Sequence, residues 1–347
     1  MSENKVIGGE FAVAPQELNE HIPVTNIEYS SGRAALFSIL ENVSKISEGG
    51  GRLILIPDYL CDSITNTIVD AGWKYSFYNI EARLTVTDVN NLELDRCDAI
   101  LLINYFGLLN LNEIINQIRE RKSSIIIIED DVQAFYKYKE SIADYSFTSL
   151  RKWFPCPEGA FVKSKNTVES ISTYKSLFGQ YKIAGNLLKS YGEIIDDSIC
   201  LELLERGESL LDNEYLTECS HTSEIIFSNI DLKKVADIRK RNAKLLHEGL
   251  EELGIEHLYK EDAVPLFVPI FVEDRKKLRN LFFKNHIFTP IHWPVTSEDL
   301  NGANSIYDRE LSLICDQRYN EEDIKKQLEI IRQFVYREGE KHGGNDS

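Results

Sequence analysis

The chain has 347 residues, which at roughly 150 residues per domain predicts about two domains, with a core large enough to need no disulfide or metal staple. Lysine and arginine total 39 against 56 aspartates and glutamates, so the formal net charge is -17 and the global field repels nucleic acid and anionic membrane surfaces. A composition of 43% hydrophobic and 27% charged residues is that of an ordinary soluble protein, and no apolar run approaches the roughly 20 residues of a membrane span.

The opening MSENKVIGGEF lacks a basic region followed by an apolar stretch, so no secretory leader is expected. Residues 33–43 are apolar at most positions, as in a helix sunk into a core. The three glycines at 49–51 are not followed by Lys-Ser or Lys-Thr and read as a plain loop. Runs at 53–56, 99–104 and 125–128 are almost continuously apolar, which suits parallel strands covered on both faces. Between them, 60–71 reads as a helix stopped by Gly72 and 73–78 as an alternating strand near a sheet edge. Asn110 reads as the N-cap of a helix bearing Leu111, Ile114, Ile115 and Ile118. Past about residue 165 the pattern turns helical and charged. A long helix over 235–253 leads to a strand at 265–272, a helix at 274–285 and a last helix at 321–336, and the tail from 338 reads as flexible. This order predicts a large α/β domain with a mostly parallel sheet over 1–235 and a smaller α+β domain over 236–347.

The six cysteines (Cys61, Cys97, Cys156, Cys200, Cys219 and Cys315) form no CxxC pair, which predicts reduced thiols in a cytoplasmic protein. The seven histidines are dispersed and no metal site is expected. His292, beside Trp293, stands in the one informative setting.

Three segments fall at strand ends or helix starts, where open α/β sheets bind ligands. Tyr29-Ser30-Ser31-Gly32-Arg33 opens the first helix. Its small residues suit a phosphate held by backbone amides, although the segment taken alone is more commonly a simple N-cap. Ile125–Ile128 is followed at once by Glu129, Asp130 and Asp131. A carboxylate at that position costs desolvation unless a cation or hydrogen bonds compensate, so Asp130 either faces a bound cation or protonated heterocycle, or lies in a solvated turn. Lys152 lies between large apolar residues, and desolvation there would lower its pKa and make it a nucleophile able to form a Schiff base. The alternative is a surface lysine paired with an acid. Ser149, three residues earlier, is close enough to share an anion site with it. No GxSxG, GxxxxGK[ST], GxGxxG or HExxH pattern is present.

Taken in order, these segments resemble the DegT/DnrJ/EryC1/StrS family over most of the chain. The segments are Ser31-Gly32-Arg33-Ala34-Ala35-Leu36, Ile56-Pro57-Asp58-Tyr59-Leu60-Cys61, Asn104-Tyr105-Phe106-Gly107, Ile128-Glu129-Asp130-Asp131-Val132-Gln133-Ala134, the Lys152 segment and Arg241-Asn242-Ala243. The resemblance implies a fold-type-I, aspartate-aminotransferase-like protein that uses pyridoxal 5'-phosphate (PLP) to aminate keto-sugars, mostly nucleotide-linked. Lys152 would carry the internal aldimine and Asp130 would pair with the pyridine nitrogen. Gln133 would contact the ring hydroxyl, and Ser31, Gly32, Arg33 and Ser149 would hold the phosphate. Tyr59 and Cys61 lie where the family places its ring-stacking residue. His292, Trp293, Arg318 and Tyr319 are substrate-side candidates.

The same resemblance implies a homodimer and a ping-pong exchange between an amino donor, glutamate, and a carbonyl acceptor in surface polysaccharide biosynthesis. Ala160 stands where the family has a glycine. The family's G-x-N-x-R-M stretch has no counterpart near 222–228, where Ser223 is the nearest substitute. A PLP enzyme of another reaction type and a non-catalytic scaffold remain alternatives, although Lys152 stands where the family's sugar dehydratases carry histidine.

Overall fold

The computed structural model describes residues 6–14, 27–46, 52–81, 84–85, 88–165, 168, 174–192, 194–211, 214–295, 300 and 304–342. The glycine run at 49–51 lies outside them. The chain divides into two compact units, Glu10–Asp231 and Met1–Gly9 with Leu232–Ser347. The break thus falls between 231 and 232, against a sequence-based boundary after 235. The first strand, β1 (Ile7–Gly8), counts with the C-terminal unit.

The Glu10–Asp231 unit begins its regular structure with α1 (Gly32–Ile46), β2 (Leu53–Pro57), α2 (Asp62–Asp70), β3 (Lys74–Tyr78) and β4 (Ala99–Ile103). It continues with α3 (Asn112–Arg121), β5 (Ile126–Asp130), β6 (Tyr145–Phe147) and β7 (Val162–Ser164). Six strands form one sheet in the order β3-β2-β4-β5-β6-β7. The first five run parallel and β7 closes the edge antiparallel to β6. The near-continuous apolar runs have the burial that a sheet covered on both faces requires. All five residues of β4 are buried, as are Ile127 and Ile128 of β5, each such isoleucine contributing about 1.5–3 kcal/mol.

β5 runs two residues past the apolar stretch and ends on Asp130. The cap of α3 is Leu111 rather than Asn110. Asn110 Oδ1 accepts the Asn112 amide at 3.2 Å, one position outside the expected place. After β8 (Tyr174–Lys175) come α4 (Leu177–Lys189), α5 (Asp197–Leu211), β9 (Thr217–Glu218), which pairs with β8, and α6 (His221–Ser228).

In the other unit β1 pairs parallel with β11 (Ile287–Phe288), and β10 (Val268–Phe271) pairs antiparallel with β12 (Glu310–Leu313). α7 (Leu232–Leu253), α8 (Arg275–Lys284), α9 (Ile306–Arg309) and α10 (Glu321–His342) complete it. Its core joins Leu246 and Leu250 of α7 to Ile270, Leu278, Phe282, Leu311 and Ile331. α10 continues to His342, so a helix occupies part of the tail expected to be flexible. Among the described residues no helix is long and apolar enough to cross a membrane.

Candidate active site

Four adjacent strands deliver the candidate residues from their carboxyl ends. β2 leads into Tyr59 and Cys61, and β4 into residues 104–107. β5 ends on Asp130 with Gln133 three positions on, and β6 is followed by Ser149 and Lys152.

Asp130 is 6% exposed. One carboxyl oxygen accepts the Val132 amide at 2.8 Å, and the other accepts no hydrogen bond within the described residues. Burial pushes the carboxyl up to about 7, and Glu129 adds to the rise. The Val132 amide and the Lys152 charge act in the other direction. A group in that condition is stabilised by a cation at its open oxygen. Glu129 and Asp131 alternate to the opposite face of the strand. Glu129 accepts from Ser141, and Asp131 accepts from Asn104 at 3.1 Å and Ser146 at 2.7 Å. Burial raises both.

Lys152 ends a single tight helical turn, Leu150–Lys152. Its side chain reaches solvent, yet protein fills enough of the surrounding volume to lower its pKa. The adjacent Arg151 guanidinium lowers it further, against the pull of Glu208, Cys61 and Glu10. Three bonds pin this turn to the Asp130 turn. The Asp131 amide donates to the Phe147 carbonyl at 2.8 Å, the Thr148 hydroxyl to the Asp131 carbonyl at 2.9 Å, and the Trp153 indole to the Val132 carbonyl at 2.9 Å. On its other side the segment is tied to the start of α1, through Gly159 N–H to Ser30 O at 2.6 Å and Ala160 N–H to Tyr29 O at 2.8 Å. Gly159 has φ +121, and a Cβ there would come 2.8 Å from Leu150 Cδ1, so the position requires glycine.

The Ser31 hydroxyl accepts the Ala34 amide at 3.1 Å, which makes it the cap of α1. The first turn of α1 holds no acidic residue, and its amides have no intrahelical acceptor, so this end attracts anions. A Cβ on Gly32 would lie 3.1 Å from Val132 Cγ2 and 3.6 Å from Ser149 Cβ. The helix start, the Asp130 turn and Ser149 therefore meet at one place. The Ser149 hydroxyl makes no hydrogen bond within the described residues. The charge of Arg33 is felt at the Tyr215 hydroxyl, which donates to Asp70 at 2.7 Å.

Gln133 Oε1 accepts the Phe106 amide at 2.9 Å and so secures a residue at φ 58, an unfavourable backbone for phenylalanine. Its own amide NH2 has no acceptor within the described residues. Tyr59 is fully buried, with its ring 5.5 Å from that of Tyr105. Cys61 precedes α2, is half-buried, and accepts from the Ser63 hydroxyl at 3.2 Å.

Among solved structures, the chain is similar to PseC of Helicobacter pylori, an aminotransferase involved in the biosynthesis of pseudoaminic acid. The identity is 14% over 96% of this chain and 100% of that one, with a TM-score of 0.67. It is also similar to a DegT DnrJ EryC1 StrS aminotransferase from Brucella abortus, at 17% identity over 89% and 85% of the two chains and a TM-score of 0.63. The PLP-form of a sugar aminotransferase from Streptococcus pneumoniae matches at 14% identity over 95% and 93%, with a TM-score of 0.66. The fold is that of the sugar aminotransferases. No family model matches the sequence, and no curated protein matches it.

Within this aminotransferase fold, sequence reading missed the charge network around Lys152. Arg151 forks onto Glu208 at 2.9 and 3.3 Å, and Lys182 bridges Glu208 at 2.8 Å to Glu10 at 3.1 Å. Burial opposes ionisation of Glu208, but Arg151, Lys182 and Lys152 together outweigh it and hold the carboxyl well below its usual range. Arg151 beside Lys152 is a sequence signal that a carboxylate is needed. Its identity is set 57 positions away by packing of α5. Ser223 is fully buried in α6, its amide bonded to the cap Ser220.

The four substrate-side candidates lie in the other unit, each engaged there. His292 Nδ1 is 2.9 Å from Ser312 Oγ, which donates to Glu310 at 2.5 Å. Trp293 stands edge-on to the His292 ring at 5.4 Å. Arg318 pairs with Asp316 at 2.8 Å and donates to the Gly9 carbonyl, and the Tyr319 hydroxyl accepts the Gly8 amide at 2.7 Å. Asn242 of the Arg-Asn pair donates to the carbonyls of Cys315, Asp316 and Tyr319, which makes it a clamp within the unit.

Proposed function

We propose that the chain is a PLP-dependent aminotransferase. It takes an amino group from glutamate and delivers it by a ping-pong reaction to a keto-sugar, nucleotide-linked, in surface polysaccharide biosynthesis. It works in the cytoplasm as a homodimer. The observation that carries this reading is the joint condition of Lys152 and Asp130. They lie within electrostatic reach of each other on adjacent strand ends, the amine shifted down and the carboxyl shifted up.

The donor set suits PLP. Asp130 has an open oxygen that calls for a cation, Gln133 a spare NH2, Ser149 a spare hydroxyl, and α1 begins beside them with its positive dipole end and no acidic residue in its first turn. When bound, the cofactor supplies an electron sink for negative charge at the donor's Cα. Asp130 would face the ring nitrogen and favour its charged form, and Gln133 would donate to the ring hydroxyl. The start of α1 and Ser149, with Ser31 and Arg33 beside them, would hold the phosphate. Lys152 Nζ would act as the base that removes the proton from the donor's Cα in the first half of the exchange and as the acid that delivers a proton to the acceptor's carbon in the second, a role worth about 10²–10⁴ in rate. Its lowered pKa leaves more of the amine neutral and able to take that proton. The Streptococcus pneumoniae structures with the same fold were solved in PLP- and PMP-forms.

The test is the visible spectrum of the protein with added PLP, titrated with L-glutamate. A yellow band that glutamate bleaches, and that Lys152→Ala does not form, is the expected result. Absence of the band in the wild type sinks the reading.

A further inference from the structure

The C-terminal unit contains a second cluster of ligating side chains, unconnected with the reading above. α7 ends at Gly254, which adopts φ +64. The Gly254 and Ile255 amides bond back to the Glu251 and Leu250 carbonyls, each at 3.1 Å. The reversed chain lays His257 against the last turns of α7, where it also bridges to Ile270 of β10. His247 and Glu251, four residues apart, share one face of that helix. His257 Nε2 lies 2.8 Å from His247 Nδ1 and 3.7 Å from Glu251 Oε1, and all three ligating atoms fall within 4.8 Å of one another.

We infer that His247, Glu251 and His257 bind one zinc-class divalent transition-metal ion. A tetrahedral zinc with bonds of about 2.1 Å spaces its ligands roughly 3.4 Å apart, and the two measured separations straddle that value. The His257 tautomer supports it. His257 Nδ1 is 2.7 Å from the Ile255 carbonyl, which can only accept, so the proton sits on Nδ1 and Nε2 presents a lone pair. A backbone carbonyl fixing the second nitrogen is the usual outer partner of a metal-bound histidine. The Tyr259 ring stacks on His247 at 4.1 Å and 11° and sets its plane. The 2.8 Å contact is a hydrogen bond in which His247 Nδ1–H donates to His257 Nε2; a cation arriving there displaces that proton, the other tautomer places it on His247 Nε2, and Nδ1 becomes a second lone pair aimed at the same point. Two imidazoles and one carboxylate select zinc, nickel or copper over magnesium or calcium, and leave a fourth position for water.

The full-length protein, stripped with a chelator and freed of it, is titrated with zinc chloride against a fluorescent zinc indicator. One ion per chain is expected, with affinity at least about tenfold weaker in His247→Gln and Glu251→Gln. Glu251 keeps 66% of its side chain exposed, so its substitution leaves the fold intact. Cobalt in place of zinc should give weak visible bands without the thiolate charge-transfer band that cysteine ligands produce. Lys152→Ala should bind zinc like the wild type. Failure to bind one ion per chain overturns the inference. So does unchanged affinity in both variants, or a cobalt spectrum dominated by thiolate.

Discussion

The indole Nε1 of Trp153 donates to the carbonyl of Val132 at 2.9 Å, joining the residue after Lys152 to the turn that carries Asp130. The bond fixes the spacing of the two groups that the proposed chemistry requires on one site. Trp153 is thus a positioning residue. Trp153→Phe keeps most of the apolar volume and strands the Val132 carbonyl, so stability should fall by about 1–3 kcal/mol. In the assay, kcat should drop with KM little changed, and the PLP band should still form. A stability loss with unaltered kcat would reduce Trp153 to packing.

Asp130 makes stability depend on pH. Its folded pKa of about 7 lies above the ordinary carboxyl value of 3.8, so between those values the folded chain holds a proton that the unfolded chain has released. Stability from this group is complete below about pH 4 and is lost as pH rises to about 7. At about 1.4 kcal/mol per unit, Asp130→Asn should raise the stability of the cofactor-free protein at pH 8 by about 2–4 kcal/mol and leave it unchanged at pH 4. The same variant should lose turnover. Denaturant unfolding at the two pH values checks the first part, and equal effects at both would contradict it.

Glu208 supports the charge balance beside Lys152 rather than the fold. It keeps 45% of its side chain exposed, so water screens its pairs, and Glu208→Gln should cost only about 1 kcal/mol. Removing its negative charge leaves Glu10 as the carboxylate facing Lys182 and Arg151, so less negative charge remains beside Lys152. The pH at which Lys152 becomes reactive toward an acylating reagent, followed by peptide mass mapping, should therefore move down. No movement would mean that the network is structural only.

Gly159→Ala should be the most disruptive small change in the lysine segment. The new Cβ meets Leu150 Cδ1 at 2.8 Å on a backbone at φ +121, a strain of about 1–3 kcal/mol. Thermal unfolding should register the loss. Gly32→Ala meets Val132 Cγ2 at 3.1 Å and should instead weaken PLP affinity, read by titrating the visible band.

The parallel sheet was legible because its strands are buried on both faces and read as unbroken apolar runs, such as residues 125–128. The positions of Asp130 and Gln133 at a strand end followed from that run, whereas the strand ahead of Ser149 and Lys152, Tyr145–Phe147, is too short to show one. What the local pattern does not contain is long-range partnership. The Arg151–Glu208 fork spans 57 positions and the Trp153–Val132 bond 21. His247 and His257 look dispersed in sequence, and only the reversal at Gly254 brings them to 2.8 Å. Tyr59 and Cys61 illustrate the same limit, since one is sealed in the core and the other half-buried although they are two residues apart.

The pairing of Ile7 with Ile287 orders events during synthesis. β1 has no partner until residue 287 has been made, an interval on the order of tens of seconds at ribosomal speed. The Glu10–Asp231 unit is complete well before that, so the half bearing Lys152 is free to fold first. A nascent chain stalled shortly after residue 231 should already protect the Asp130 and Lys152 segments from protease, while leaving Ile7 open to cleavage.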